Sequence, residues 1–140
     1  MADIRAFEVG DTEQVVDLWE RCGLVRAWND PRKDIERKLT VQPELFFVAE
    51  RGGRIAASAM AGYDGHRGWL YYVAVAPELQ GGGLGRAIFR HAEEALLALG
   101  CPKVNVQIRS GNETVAAFWN GLGFSPDGAT GLGKRLIPDS

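Results

Sequence analysis

The sequence lacks the features that would suit a membrane, a metal centre or a nucleic-acid partner. No apolar run approaches the roughly 20 residues that a membrane-spanning helix needs, and Asp3, Arg5 and Glu8 interrupt residues 1–10, which contain no apolar signal core. The 16 basic residues are balanced by 18 acidic ones, so no strongly basic surface is expected. Cys22 and Cys101 have no metal-ligand spacing. We therefore expect a cytoplasmic protein without a metal, a nucleic-acid partner or a membrane.

What is present suits one α+β domain that spans residues 1–140. Apolar periodicity predicts the order β-α-α-β-β-β-α-β-α-β, and the last strand is a glycine-interrupted segment at about 128–137. Strand 69–75, helix 85–99 and strand 103–109 form a crossover unit, so these two strands should be parallel. Short hairpin turns should make the earlier strands antiparallel. Exposed edges of such a sheet also make a homodimer reasonable.

A glycine-rich stretch between strand 69–75 and helix 85–99 is the most informative part of the chain. Four of the five residues from 81 to 85 are glycine. Glycine can take positive φ and places no side chain in front of the backbone N–H groups. The helix that follows opens with unpaired N–H donors and the positive end of its dipole. This arrangement predicts an anion site, most often for phosphate.

Two common phosphate-binding motifs do not fit this stretch. A P-loop requires Lys and Ser or Thr after its last glycine, where this chain has Arg86 after Gly85. A dinucleotide-binding turn requires a third glycine at the position of Arg86, and an acidic residue about 20 residues further on. That later region holds Lys103 and Asn105 instead. Both alternatives therefore fail on their residues.

A third pattern does fit. The spacing Gln80-x-x-Gly83-x-Gly85, preceded by Val-Ala-Val-x-Pro, resembles motif A of the GNAT superfamily of N-acetyltransferases. Asn112 resembles the start of the second cofactor motif of that superfamily, which here continues with Ala116, Phe118, Trp119, Gly123 and Phe124. Several further segments resemble the YpeA-like bacterial branch, namely residues 18–22, 28–31, 63–67 and 132–135.

The resemblance implies acetyl-CoA as donor, no metal, and a primary amine of a small molecule or a protein as acceptor, by direct transfer in a ternary complex. It implies a mixed, mostly antiparallel twisted sheet with helices on both faces, whose parallel strands 69–75 and 103–109 splay apart around the cofactor. The residues implied to bind acetyl-CoA are Val73, Ala74, Val75, Gln80, Gly81, Gly82, Gly83, Leu84, Gly85, Arg86, Asn112 and Trp119. Gly82 occupies a position where relatives usually carry Arg or Lys, so we expect weaker binding of CoA.

The catalytic roles of the family do not transfer to this chain. Trp119 stands where many relatives have a tyrosine that protonates the leaving thiolate, and an indole N–H is no practical acid. Gln107 stands where some branches have a glutamate, and it cannot act as a base. Tyr71 or Tyr72 could supply the acid, and at most one of them should face the site because strand neighbours alternate. A non-catalytic acyl-CoA-binding module is therefore the alternative function.

The acceptor site is placed by resemblance alone. In the superfamily the link between the first two helices contributes to this site, which implies Trp28, Asn29 and Asp30 as its lip. Asp30 before Pro31 is also explained as a helix N-cap. His66 lies in the turn at 64–67, at the far end of strand 69–75 from the glycine loop, so a solvated histidine beside a turn-forming Asp-Gly pair is favoured over a catalytic base.

Overall fold

The computed structural model describes residues 2–139, which form two compact units. The first unit consists of residues 2–106 with Asp139, and the second of residues 107–138. The prediction of one domain over residues 1–140 therefore stays a prediction, and each unit is described by itself. Among the described residues, no helix is long and apolar enough to cross a membrane.

The first unit contains a five-stranded sheet whose strands follow the chain order. The strands are β1 (Asp3–Ala6), β2 (Phe46–Arg51), β3 (Arg54–Tyr63), β4 (Gly68–Val75) and β5 (Val104–Val106). The first three pairings are antiparallel, and β4 pairs with β5 in parallel. The predicted mixed, mostly antiparallel sheet with one parallel pair is confirmed.

Helices α1 (Thr12–Arg21), α2 (Pro31–Lys38) and α3 (Leu84–Ala98) belong to the same unit, and α4 (Glu113–Asn120) lies in the second. Alternate side chains of β2 show that helices pack on both faces of the sheet. Phe46 and Val48 join the buried cluster around Trp19 of α1. The intervening Phe47 contacts His91 of α3 edge to face, with ring centroids 4.7 Å apart.

Two predicted strands differ in the structure. The segment 128–137 forms no strand among the described residues, and the predicted last strand is wrong. Its side chains Leu132 and Leu136 are 95% and 84% exposed, so no apolar face holds the segment against a neighbour. Strand β5 has three residues rather than the seven from 103 to 109, because its ladder with β4 ends at the pair Leu70–Val106.

A β-bulge interrupts β4 just after that ladder. Met60 of β3 lies opposite Tyr71 of β4, and Ser58 lies opposite Ala74. On β4, Tyr72 and Val73 therefore together oppose the single residue between Ser58 and Met60. Tyr72 has φ 51°, in the left-handed region that non-glycine residues rarely adopt. The bulge is therefore a strained feature that neighbouring groups must hold in place.

Buried polar contacts from α1 and β3 hold the bulge. The Trp19 ring stacks on Tyr72 with centroids 3.7 Å apart, and Trp19 Nε1 donates to Ser58 Oγ at 2.9 Å. The Ser58 hydroxyl in turn donates to the Tyr72 carbonyl at 2.7 Å. Ser58 is fully buried and pairs with both the indole N–H of the fully buried Trp19 and the Tyr72 carbonyl.

We predict that Ser58→Ala lowers the free energy of unfolding by about 2 kcal/mol or more, because it leaves a buried indole N–H and a buried carbonyl unpaired. Urea unfolding of the purified protein measures this change. The control is Thr40→Ala, which removes an exposed hydroxyl that donates to the Arg37 carbonyl. That variant should stay within about 0.5 kcal/mol of the parent. Equal stability of the two variants would contradict the bulge-supporting role of Ser58.

Candidate functional site

The predicted phosphate loop lies between the end of β4 and the start of α3. Gly81 and Gly83 have φ 84° and 89°, which only glycine adopts readily. The first backbone hydrogen bond of α3 runs from the Ala87 N–H to the Gly83 carbonyl at 3.0 Å. The amides that precede Ala87 in the first turn therefore have no acceptor within the helix. With the positive end of the helix dipole behind them, they can bind an anion.

Gly82 differs from its neighbours because its backbone tolerates a side chain. Its φ is not positive, and a Cβ built on it would lie 3.5 Å from the Leu79 carbonyl oxygen, an ordinary contact. The turn therefore does not require glycine at this position, and the absence of a basic residue here has no cause in the backbone. Arg86, exposed in the first turn of α3, provides positive charge beside the loop.

The Gln80 side chain contacts the chain itself. Its Nε2 donates to the Val75 carbonyl at 3.1 Å, and the Cys22 thiol donates to the same oxygen at 3.2 Å. Burial raises the pKa of Cys22, which keeps this thiol protonated. The Ala76 N–H donates to the Ala56 carbonyl of the neighbouring strand β3. Because successive amides of a strand point to opposite edges, the Val75 N–H points away from β3. That N–H is the group of Val75 that a cofactor could pair with.

The edge of β4 that leads to this loop is open over most of its length. Pairing with β5 covers only Gly68, Trp69 and Leu70, while β4 continues to Val75. The predicted cofactor residues Val73, Ala74 and Val75 all lie beyond the ladder. A strand edge with unpaired backbone groups can accept an extended ligand as a surrogate strand. The ladder of the predicted parallel pair thus ends well before β4 does.

The two candidate tyrosines lie on the same face of the sheet. Tyr71 is in register with Met60, a member of the cluster around Trp19, and the Tyr72 ring stacks directly on Trp19. We predicted that at most one of them faces the site because neighbours alternate, but the bulge breaks this alternation. Both rings consequently lie on the face that carries α1 and α2.

The environments of the two hydroxyl groups differ. The Tyr72 hydroxyl donates to Asp34 Oδ2 at 2.6 Å, and burial together with this carboxylate raises the pKa of Tyr72. Tyr71 is 48% exposed, and its pKa is raised by burial and by the charge of Asp64. Both phenols therefore remain protonated at neutral pH, but the proton of Tyr72 is already engaged.

The link between α1 and α2 contains the predicted acceptor lip. Trp28 is 53% exposed, and Asn29 N–H donates to the Arg26 carbonyl at 3.1 Å, which closes a tight turn. Asp30 Oδ1 accepts the Arg32 N–H at 2.9 Å, so its interpretation as the N-cap of α2 is confirmed. Its own N–H donates to Asp139 Oδ2 at 2.7 Å.

Asn112 and Trp119 lie in the second unit. Asn112 is the N-cap of α4, and its Oδ1 accepts the Val115 N–H at 3.3 Å. The buried Trp119 ring contacts Phe118 and Phe124 edge to face, with centroids 5.0 and 5.1 Å apart. These contacts give both residues a structural role within α4. Their contact with acetyl-CoA stays a prediction.

The turn that contains His66 is explained by its own hydrogen bonds. Asp64 Oδ1 accepts the N–H groups of His66 and Arg67, each at 2.8 Å, and these bonds hold the pKa of Asp64 below its usual value. Within residues 2–139, no three His, Cys, Asp or Glu side chains are grouped to bind a metal.

The first unit thus combines a glycine loop, an open β4 edge and a β-bulge. A family model described as the acetyltransferase (GNAT) family matches residues 12–124. The chain belongs to the GNAT family of acetyltransferases. An acetyltransferase of Yersinia enterocolitica is 48% identical to it over 137 residues, which cover 98% of this chain and 97% of the relative. An acetyltransferase of Sodalis glossinidius is also 48% identical, over 138 residues.

Solved GNAT structures share the fold. The ribosomal-protein-S18-alanine N-acetyltransferase of Escherichia coli superposes with a TM-score of 0.74 and 26% identity, covering 89% of this chain and 78% of that one. AAC(6')-Iy in complex with a CoA-containing bisubstrate analogue has a TM-score of 0.78 at 18% identity, covering 98% and 99%. The prediction of an N-acetyltransferase is confirmed by the family and by the names of the relatives.

Sequence reasoning missed two residues that shape this region, Ser58 and Asp139. Ser58 is a lone polar residue in the run Ile-Ala-Ala-Ser-Ala-Met-Ala of a buried strand, and such a residue signals a buried hydrogen bond. Asp139 carries no comparable signal, because its partners lie far away in the sequence.

We predict that Gly83→Ala lowers the free energy of unfolding by about 1–2 kcal/mol, because alanine is strained at positive φ. Thermal unfolding without ligand measures this effect. The matched control is Gly82→Ala, one position away, whose backbone suits alanine; its stability should be unchanged or slightly higher. If both variants unfold at the temperature of the parent, the loop does not depend on the backbone freedom of glycine.

Proposed function

We propose that this protein transfers the acetyl group of acetyl-CoA to a primary amine of a small molecule or a protein, by direct transfer in a ternary complex in the cytoplasm. The observation that carries the proposal is the continuous path along β4. Its free edge begins after Leu70, passes the bulge at Tyr72 and ends at the glycine loop before α3. A thioester arm that ends in a pyrophosphate matches this sequence of backbone donors and acceptors.

The comparisons support this choice of substrates. The GNAT family uses acetyl-CoA, and the AAC(6')-Iy structure holds a CoA-containing bisubstrate analogue. The Escherichia coli neighbour acetylates an alanine of a ribosomal protein, whereas the analogue in AAC(6')-Iy contains an acetylated neamine. Protein amines and small amines are thus both accepted on this fold, and we keep both as acceptor classes.

The reaction balances without a covalent enzyme intermediate. The nitrogen of the neutral amine attacks the thioester carbonyl carbon, the C–S bond breaks, and CoA leaves as a thiolate. The amine releases one proton to water, and the thiolate takes one up. We propose Tyr71 as the donor of that second proton, because this half-exposed residue carries a phenol that is protonated at neutral pH, whereas the Tyr72 hydroxyl donates to Asp34.

A non-catalytic acyl-CoA-binding module is the second candidate. Two observations favour it: Trp119 occupies the position of the usual acid and packs within α4, and the Tyr72 hydroxyl is engaged. We prefer the enzyme, because holding the amine against the thioester can supply much of the rate enhancement by proximity alone.

Two measurements test the proposed function. Acetyl-CoA at about 100 times its Kd should stabilise the protein by roughly 2.7 kcal/mol, seen as a raised Tm, whereas ATP and NAD should not. Release of free CoA thiol should then rise when a panel of amines and amine-bearing peptides is added. Stabilisation without thiol release for any amine would favour the binding module. No stabilisation by acetyl-CoA would exclude both candidates.

The role of Tyr71 has its own test. Tyr71→Phe should lower kcat by about tenfold or more and leave the KM for acetyl-CoA unchanged, because it removes a general acid and no binding contact. Tyr72→Phe keeps the ring that stacks on Trp19 and should retain kcat within about threefold. Steady-state thiol release measures both variants. Full kcat in the Tyr71→Phe variant would show that solvent protonates the thiolate.

A further inference from the structure

Asp139 is buried against α2, far along the chain from its partners. Its side chain is only 2% exposed, and its Oδ1 accepts from Arg37 Nη2 at 2.7 Å. Its Oδ2 accepts the Asp30 N–H at 2.7 Å, and Lys33 Nζ donates to its backbone carbonyl at 2.7 Å. One residue therefore contacts the N-cap, the first turn and the last turn of α2.

The contact with Asp30 fixes the link that precedes α2. Asp30 is the N-cap of the helix and follows directly on the exposed Trp28 and Asn29. Its side chain is used by the cap, so its backbone N–H is free to anchor the link to another element, and Asp139 provides that anchor. The orientation of residues 28–30 thus depends on the carboxylate of Asp139, which lies 109 positions beyond Asp30 in the sequence.

The same network reaches the bulge of β4. Arg37, which pairs with Asp139, also contacts Asp34 Oδ1 at 3.4 Å, and Asp34 Oδ2 accepts the Tyr72 hydroxyl at 2.6 Å. Asp139, Arg37, Asp34 and Tyr72 form a chain of charge-assisted contacts, which we call the α2 network. It joins the predicted acceptor lip to the strand that leads to the glycine loop.

We propose that Asp139 is a positioning residue for the acceptor: through the α2 network it holds the link of residues 28–30 in the orientation that receives the amine. The proposal rests on the proposed function, in which this link forms the acceptor lip. Asp139 does not contact the reacting atoms in this role. Its removal should weaken acceptor binding and leave acetyl-CoA binding intact, because the glycine loop is built by other residues.

Asp139→Asn is the informative substitution. It keeps the shape of the side chain, but one acceptor oxygen becomes an NH₂ donor, and the negative charge beside Arg37 is lost. The amide can still accept one hydrogen bond but cannot serve both the Asp30 N–H and Arg37 with the original geometry. We expect the link to loosen while the sheet and α1 stay folded.

Amide hydrogen exchange tests the contact between Asp139 and the Asp30 amide without any enzymatic activity. In Asp139→Asn, the Asp30 amide should exchange about tenfold faster or more, because only one side-chain oxygen remains to accept from both the Asp30 N–H and Arg37. The Leu39 amide, which donates to the Ile35 carbonyl at the other end of α2, provides an internal reference and should change little. Unchanged exchange at Asp30 would overturn the proposal.

Kinetics test the consequence for the acceptor. The KM for the best amine of the panel should rise at least about fivefold, with kcat within about twofold and an unchanged Kd for acetyl-CoA. Arg37→Gln should give the same pattern, and the double variant should be little worse than either single one. Glu13→Gln, which breaks the exposed ion pair of Glu13 with Arg32 of α2, is the control and should behave as the parent.

The outcomes separate this proposal from the proposed function. Equal weakening of acceptor and acetyl-CoA would indicate general destabilisation and overturn the positioning role, as would an unchanged acceptor KM. If the parent protein acetylates no amine, the proposed function fails first, and the role of Asp139 for an acceptor fails with it. Faster exchange at Asp30 would then still establish the hydrogen bond between Asp139 and the Asp30 amide as a structural contact.

Discussion

The left-handed conformation of Tyr72 is the constraint on which the rest of this structure depends. A non-glycine residue at φ 51° costs about 1–2 kcal/mol, so other contacts must compensate. Trp19 stacks on the ring, Ser58 donates to the carbonyl, and Asp34 accepts from the hydroxyl. Three elements thus converge on one bulge. The bulge follows the last pair between β4 and β5, and the free edge of β4 continues from there.

Because α1 and α2 both supply these contacts, the predicted cofactor strand and the predicted acceptor side of the first unit are supported by the same residues. The two sides use different chemistry. The glycine loop offers backbone N–H groups and requires glycine at its two positive-φ positions, where any side chain is strained whatever its size. The acceptor side depends on side chains: an exposed indole at Trp28 and the carboxylates of α2. Donor binding can therefore stay constant while side-chain changes alter the choice of acceptor.

The parts that the sequence predicted correctly depend on local patterns. The apolar periodicity, the short hairpin turns and the spacing at 80–86 predicted the antiparallel strands, α3 and the family, because each pattern is enforced by neighbours in the chain. The bulge was missed, since alternation was assumed to continue through Tyr71 and Tyr72. The glycine-interrupted strand at 128–137 was wrong because a few apolar residues in such a segment form a strand only where a partner covers them. The contact of Asp139 with Arg37 joins residues 102 positions apart, and no periodicity reports it.

Charge pairing on the acceptor side bears on the chemistry itself. The attacking amine must be neutral, and an uncompensated carboxylate nearby would favour its charged ammonium form by raising its pKa. Arg37 pairs with both Asp34 and Asp139, and Lys33 Nζ lies at the Asp139 carbonyl, so two cations offset these two carboxylates. A cationic amine can still be attracted over longer distance by the acidic balance of the chain. In the proposed reaction, carboxylates that are paired in this way would not hold the proton on the amine, which fits transfer without a dedicated base.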